Sequence, residues 1–191
     1  MEPHRPERKL TAILHADVQG YSRLIAQDDA ATLHTLTAYL EMMRALVQQH
    51  EGRAVGSRGD SLLAEFPSVV EAVQCAVEMQ HELKVRNSEL PADRRVGFRM
   101  GINVGEVLVE GEEIHGDGVN IAVRLEGLAE AGGICLSEKV YDEVKNRLAL
   151  GYEDLGEHGL KNIEKPVRVY RVQVEPSAPA VGAALRAPVP T

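Results

Sequence analysis

Tryptophan is absent, phenylalanine occurs twice, and aromatic residues make up only 4% of the chain. A protein that reads nucleic acid on an open sheet needs exposed aromatics for stacking and a basic surface. Here 21 Lys and Arg stand against 29 Asp and Glu, a formal net charge of −8. Together these shortages argue against nucleic acid, or an anionic membrane surface, as a partner. Cysteine is scarce as well. Cys75 and Cys135 fall on apolar stripes of different segments, without metal-ligand spacing, and read as buried free thiols rather than a disulfide or zinc site. No run approaches the ~20 apolar residues that cross a bilayer, and Met1-Glu2-Pro3-His4-Arg5-Pro6 lacks the apolar centre of an export signal. A cytoplasmic protein is expected.

What is present is enough chain, 191 residues, for one domain with a real core. Residues 12–18 form a short apolar run that ends at the turn-prone Gln19-Gly20, which predicts a buried strand. Leu33, Leu36, Leu40, Met43 and Val47 then recur at helical spacing up to Gly52. Residues 53–57 and 61–66 flank Arg58-Gly59 and read as a hairpin with Asp60 at its tip. A second amphipathic helix opens at Pro67-Ser68, with Val69, Ala72, Val73, Ala76, Met79 and Leu83 on one stripe. Next comes a strand in which Val96, Phe98, Met100, Ile102 and Val104 alternate with Gly97, Arg99, Gly101, Asn103 and Gly105. The order β-α-β-β-α-β predicts an α+β fold with a ferredoxin-like core, an antiparallel sheet with its two helices on one face. That core serves many unrelated activities, so it decides no function.

A C-terminal extension follows: a strand at 106–110, a helix over 118–129, a strand at 133–136, a helix capped by Ser137, and strands near 151–157 and 167–174. From Pro176 onward the composition is rich in Pro and Ala, with too little apolar area to offset ordering. The organisation expected is a lead over 1–8, a folded domain over 9–174 and a tail or linker over 175–191.

Asp17 ends the first strand and Asp60 sits on the neighbouring hairpin, so their carboxylates can converge. Two carboxylates repel unless a cation lies between them, and hard oxygen ligands suit Mg²⁺ or Mn²⁺ that also grips phosphate. Taken singly, each Asp is better explained as a turn residue bonded to its local backbone. The backbone from Val18 through Gln19, Gly20, Tyr21 and Ser22 makes a tight turn into a helix, whose free N–H groups can hold phosphate oxygens. Asn120 and Arg124 are four residues apart, opposite a stripe of Ile121, Leu125 and Leu128, and therefore share one helix surface. Arg124 there can meet charge growing on a phosphorus and Asn120 can orient a ribose oxygen; a solvated helix face accounts for the same spacing.

Three segments occur together and in order: Thr11-Ala-Ile-Leu-His-Ala-Asp-Val-Gln-Gly-Tyr-Ser-Arg-Leu, Arg58-Gly-Asp-Ser-Leu-Leu-Ala-Glu-Phe, and Gly116-Asp-Gly-Val-Asn-Ile-Ala-Val-Arg-Leu-Glu. With the closing Leu160-Lys-Asn-Ile-Glu-Lys-Pro-Val-Arg-Val-Tyr, they resemble the catalytic domain of the class III adenylate and guanylate cyclases over residues 9–174. The resemblance implies conversion of a nucleoside triphosphate into a 3′,5′-cyclic nucleotide and pyrophosphate. It makes Asp17, Asp60 and the Val18 carbonyl ligands of two Mg²⁺ or Mn²⁺ ions per site, Asn120 the ribose-orienting residue and Arg124 the transition-state arginine. Lys161, with Lys165 close by, becomes the triphosphate lysine. It also implies a head-to-tail homodimer in which the aspartates of one subunit meet Asn120 and Arg124 of the other. One pair of positions departs from the family: where adenylate cyclases carry a Lys and an Asp that read adenine, this chain has Gly56 and Glu113. Glu113 keeps an acceptor for an exocyclic amine and Gly56 offers no donor, so ATP with weak discrimination is expected. The competing reading is a cyclase-like domain that binds nucleotide and regulates without turnover.

Overall fold

The computed structural model describes residues 5–56 and 59–174. The first strand, β1, runs from Glu7 to Val18, five residues ahead of its apolar stretch. Its exposed beginning is held by an unbroken antiparallel ladder with β4 (Phe98–Glu110), in which Glu7 faces Val109 and Val18 faces Phe98. The same ladder fuses the two strands expected over 96–105 and 106–110 into one. After a turn at Gly20 come α1 (Tyr21–Gln27) and α2 (Asp29–Gln49); the side chain of Asp28 caps α2 by accepting from the Ala31 N–H at 3.0 Å. Thr32, Leu36, Tyr39, Leu40, Met43 and Val47 form its buried face. Leu33, assigned to that face by spacing, is 48% exposed, because Thr32 takes the inward position and bonds the Leu24 carbonyl.

The hairpin forms as β2 (Arg53–Gly56) and β3 (Ser61–Phe66); Ser57 and Arg58, on which the expected turn falls, lie outside the described residues. Helix α3 (Val69–Ser88) is capped by Ser68, which accepts from the Glu71 N–H. The strand order β2-β3-β1-β4 across this half is that of the ferredoxin-like core. Leu14, Ala16 and Val18 of β1 and Phe98, Met100 and Ile102 of β4 point to the face covered by α2 and α3, where they join Met43, Ala76 and Met79 in the main core.

The extension changes the sheet in a way alternation alone does not reveal. A short strand β5 (Glu113–His115) folds back on β4, and α4 (Asp117–Gly127) then crosses to the opposite face of the sheet before β6 (Ile134–Ser137). β6 pairs with β4 in parallel, so the sheet is mixed rather than purely antiparallel: a chain that returns through a crossover helix re-enters in the same direction. Helix α5 (Glu138–Val144), capped by Ser137, leads to β7 (Gly151–His158) and β8 (Val167–Gln173), which complete the order β2-β3-β1-β4-β6-β8-β7. The close seat of α4 depends on Gly101 of β4, where a Cβ would run into the Ala122 carbonyl and the Glu126 backbone. Cys75 and Cys135 are buried free thiols, pushed up to about 12 and about 11 chiefly by burial. Among the described residues no helix is long and apolar enough to cross a membrane. The stretch 175–191 lies outside the described residues.

Candidate active site

Strand alternation decides which groups meet. Ile13, His15 and Asp17 point to the α4 side of β1, away from the main core. Asp17 lies across the sheet from Ser61 of β3 on one flank and Arg99 of β4 on the other. Because Asp60 immediately precedes Ser61, the hairpin delivers the second carboxylate beside the first, and both are half-buried. The Asp17 carboxyl is held above its ordinary value of 3.8, first by burial, then by the nearby negative charges of Glu126 and Asp60; the Val18 N–H and His15 offset part of this. A buried carboxyl raised by neighbouring acids, with a second carboxylate beside it, is a chemical match for a hard divalent ion. Among the described residues no three His, Cys, Asp or Glu side chains converge as a complete metal cage, so such an ion would draw its remaining ligands from backbone, water or bound phosphate.

Immediately after Asp17, the Gln19 N–H bonds the Gly97 carbonyl at 2.9 Å and Gly20 turns the chain with φ 73°, a left-handed conformation suited to glycine. Gly20 also accepts the first bond of α1 from the Leu24 N–H, which leaves the N–H groups of Tyr21 and Ser22 at the open end of the helix. Gln19, Gly20 and Ser22 are exposed and Tyr21 is half-buried.

Asn120 and Arg124 occupy the outward surface of α4. Both are exposed, and neither makes a side-chain hydrogen bond or ion pair among the described residues. The sheet-facing side of the same helix carries Val119, Ala122, Leu125 and Glu126. A single chain therefore brings Asp17 and Asp60 together but leaves Asn120 and Arg124 turned away from them. Gly56 ends β2 and Glu113 begins β5, and these elements adjoin: Arg53 Nη1 donates to the Glu112 carbonyl at 3.3 Å. Val55, Ile114 and Val119, the neighbours of Gly56, Glu113 and Asn120, share one apolar cluster, which gathers the two positions expected to read the base near the start of α4. Glu113 is exposed and lies 3.4 Å from His115 Nε2. Lys161 and Lys165 are exposed between β7 and β8. A cavity of about 630 Å³ touches Gln19, Gly20, Arg23 and Lys84 but none of Asp17, Asp60, Asn120 or Arg124.

One participant escaped sequence reasoning. Glu126 is 3% exposed, with Arg99 Nη2 at 3.1 Å from one carboxylate oxygen and His15 Nδ1 at 3.3 Å from the other. The signal was available: Val119, Ala122 and Glu126 follow one another at helical spacing, so a charge falls on a buried stripe, opposite strand positions that carry His15 and Arg99.

Residues 4–173 match the sequence model of the Adenylate and Guanylate cyclase catalytic domain. The chain is 42% identical over 165 residues to "Putative adenylate cyclase 3" of Rhizobium meliloti (strain 1021), an alignment that takes in 85% of this chain and 28% of that protein. It is 30% identical over 176 residues to the serine/threonine-protein kinase pkn2 of Myxococcus xanthus, covering 92% of this chain and 21% of that one. The chain thus spans under a third of the length of these two curated relatives. Among solved structures, an adenylate/guanylate cyclase/hydrolase from Silicibacter pomeroyi superposes with a TM-score of 0.82 at 38% identity, covering 87% of this chain and 98% of that one. The adenylyl cyclase CyaB from P. aeruginosa superposes with a TM-score of 0.77 at 26% identity, covering 88% and 96%.

Proposed function

Since this chain belongs to the adenylate and guanylate cyclase catalytic-domain family, we propose that it cyclises a nucleoside triphosphate, with ATP the best purine substrate, to a 3′,5′-cyclic nucleotide and pyrophosphate. The observation that carries the reading is the Asp17–Asp60 pair, two carboxylates close enough that the charge of Asp60 helps to raise the Asp17 carboxyl. Residues 9–174 act as the catalytic unit, on the cytoplasmic side, with 175–191 as a tail or linker.

In the reaction the ribose 3′-oxygen bonds to the α-phosphorus, its proton departs, and the bond from that phosphorus to the bridging oxygen breaks, so pyrophosphate leaves with the electron pair. Asp17, Asp60 and the Val18 carbonyl would hold two Mg²⁺ or Mn²⁺ ions, which when bound supply charge neutralisation at the phosphates and a more acidic 3′-hydroxyl. The turn from Gln19 through Gly20 to Ser22 receives phosphate oxygens, with the open N–H groups of Tyr21 and Ser22 donating to them. Asn120 orients the ribose and Arg124 meets the charge that grows on the transferring phosphoryl group, with Lys161 on the triphosphate. Asn120 and Arg124 face outward while the aspartates lie against the sheet, so one chain forms two half-sites. A head-to-tail homodimer completes both, and this accounts for the absence of all four residues from the 630 Å³ cavity.

Glu113 accepts from an exocyclic amine and Gly56 gives no donor, so discrimination among bases is weak. A turnover assay with ATP, GTP, CTP and UTP in Mn²⁺ tests the reading. Pyrophosphate and cyclic nucleotide should form, fastest from ATP among the purines. Nucleotide binding with no product from any of the four would reassign the chain as a regulatory module. The double variant Gly56→Lys, Glu113→Asp should sharpen the preference for ATP by up to roughly 1–3 kcal/mol, the range for one buried hydrogen bond; an unchanged preference would remove these two residues from base reading.

A further inference from the structure

We propose that Glu126 is a positioning residue for the Asp17 half of the site: through Arg99 and His15 it fixes helix α4 to the two strands that frame the Asp17 carboxylate. The inference rests on the reading of Asp17 as a metal ligand.

Glu126 carries its charge inside the fold. The Glu126 side chain is 4% exposed and could have been replaced in its packing role by an apolar residue such as its neighbours Leu125 and Ala129, which sit in an adjoining apolar cluster. A carboxylate in that position is costly unless a cation such as Arg99 meets it, and removing that partner is more costly still. Its two partners are not scattered. Arg99 is the residue directly across the ladder from Asp17, and His15 is two residues before Asp17 on the same face of β1. Glu126 thus reaches both strands beside the metal carboxylate, at 3.1 Å and 3.3 Å.

The helix that supplies it has little freedom to slide, because the missing Cβ of Gly101 lets the backbone at Ala122 and Glu126 rest directly on β4. The cluster is also incomplete as a purely structural network: Arg99 Nε and His15 Nδ1 are buried without hydrogen-bond geometry to any partner. Residues behind metal ligands orient them, and their loss typically weakens metal binding or activity by roughly 10–100-fold. Glu126 holds that place for Asp17, while Asn120 and Arg124 on the outer side of the same helix serve the partner subunit's site.

The first test uses the whole chain and no turnover. Mn²⁺ binding is titrated by the paramagnetic resonance signal of free Mn²⁺, in the presence of 3′-deoxy-ATP, which lacks the attacking hydroxyl. Glu126→Gln is expected to weaken Mn²⁺ binding by roughly tenfold or more, and Arg99→Gln to do the same. Asp17→Ala should abolish binding at that site; if it does not, the metal assignment itself fails. If Asp17→Ala abolishes binding but Glu126→Gln and Arg99→Gln leave it unchanged, only the positioning role is overturned.

The second test separates positioning from general packing. In a mixed dimer of Asp17→Ala and Arg124→Ala subunits, the one intact site takes Asp17 from the Arg124→Ala subunit. Glu126→Gln should lower activity more when added to that subunit than when added to the Asp17→Ala subunit, whose α4 supplies only Asn120 and Arg124 to the intact site. Equal loss in both arrangements, or loss only in the second, overturns the proposal. If Glu126→Gln does not fold, Arg99→Gln takes its place in both arrangements with the same outcomes expected.

Discussion

Asp17 and Glu65 are carboxylates on adjacent strands of one sheet, and their surroundings are opposite. Glu65, 4% exposed, receives Lys9 Nζ at 2.9 Å and Arg53 Nη2 at 3.0 Å. Burial pushes its carboxyl up, but the bonds and charges of Lys9 and Arg53 outweigh that and hold it below the ordinary carboxylate value. Asp17 is less buried, yet its carboxyl is held above the ordinary value, by burial first and then by Glu126 and Asp60. The difference lies in who supplies the cation. Glu65 is neutralised by its own chain and belongs to the structure; Asp17 is left among acids, as fits a group whose counter-charge arrives with a ligand.

The sharpest way to break this comparison is to remove each carboxylate and read both activity and stability. Asp17→Ala and Asp60→Ala should each lower turnover about a hundredfold or more, equivalent to roughly 3 kcal/mol for one electrostatic anchor in phosphoryl transfer. Asp17→Asn should lose turnover as well, yet unfold at the same or a higher temperature than the parent, because it removes an ion the fold does not pair. The sign follows from the raised value. Stability associated with Asp17 is fully present below its unfolded value of 3.8 and is lost as pH rises through the higher folded value, so at neutral pH the parent carries a penalty that Asp17→Asn lacks. A marked drop in the melting temperature of Asp17→Asn, measured by calorimetry, would place Asp17 with Glu65 as a structural group.

Glu65→Gln should behave in the reverse sense, with near-parental turnover per folded molecule and a loss of about 1–2 kcal/mol in denaturant unfolding. A fully buried ion pair broken on one side costs about 3–5 kcal/mol, but the Lys9 and Arg53 side chains are 46% and 43% exposed, and water screens much of that. The contribution of Glu65 is present above its unfolded value of 4.5 and is lost as pH falls through the lowered folded value. The gap between parent and variant should therefore narrow in acid; a gap constant down to acid pH would mean that packing, not charge, sets the cost.

The Asp17 side of this contrast was legible in the sequence and the Glu65 side was not, and the limits are physical. Alternation in β1 and β4 and the helical stripes of α2 and α3 located the core elements, because one period serves both the local conformation and the burial. It was the motif spacing and the resemblance together that put Asp17, Asp60, Asn120 and Arg124 in one reading. Helix α4's position on the far side of the sheet was hidden, since Gly97, Gly101 and Gly105 look like a solvent-facing strand edge when they are in fact the low surface on which a helix can rest. Glu126 was missed because the stripe read on that helix was Ile121, Leu125 and Leu128, and a glutamate off that stripe looks like an ordinary exposed charge. The exposed start of β1 carries no alternating apolar signal and is fixed by its ladder to β4, with Arg8 and Lys9 paired to Glu106 and Glu65. The position of Leu33 failed by one residue, the usual margin at which a polar Thr with a backbone acceptor displaces a hydrophobe from the inner stripe.

His50 supplies the mirror image of Asp17, one basic group between two acids, and the smallest of the expected effects. It caps the end of α2 and reaches across to α3, with Nδ1 2.7 Å from Glu71 and Nε2 2.9 Å from Glu78. Both ring nitrogens can donate only when the imidazole is protonated. Burial works against that charge, but the hydrogen bonds to Glu78 and Glu71 and their negative charges prevail and raise the folded value above the ordinary 6.5. Stability from this contact is therefore fully present below 6.5 and lost as pH rises through the raised folded value. The Glu71 and Glu78 side chains are 36% and 54% exposed, so the gain stays under about 1 kcal/mol. His50→Gln should lower the melting temperature at about pH 6 and approach the parent near pH 8, where the parent's histidine is losing its charge. The site lies on the α2 and α3 side of the sheet, away from Asp17, so turnover per folded molecule should not follow this change. A difference between parent and His50→Gln that stays flat from about pH 6 to pH 8 would show that the imidazole is neutral between its two carboxylates, and that paired acids in this fold need no cation of the chain to hold them in place.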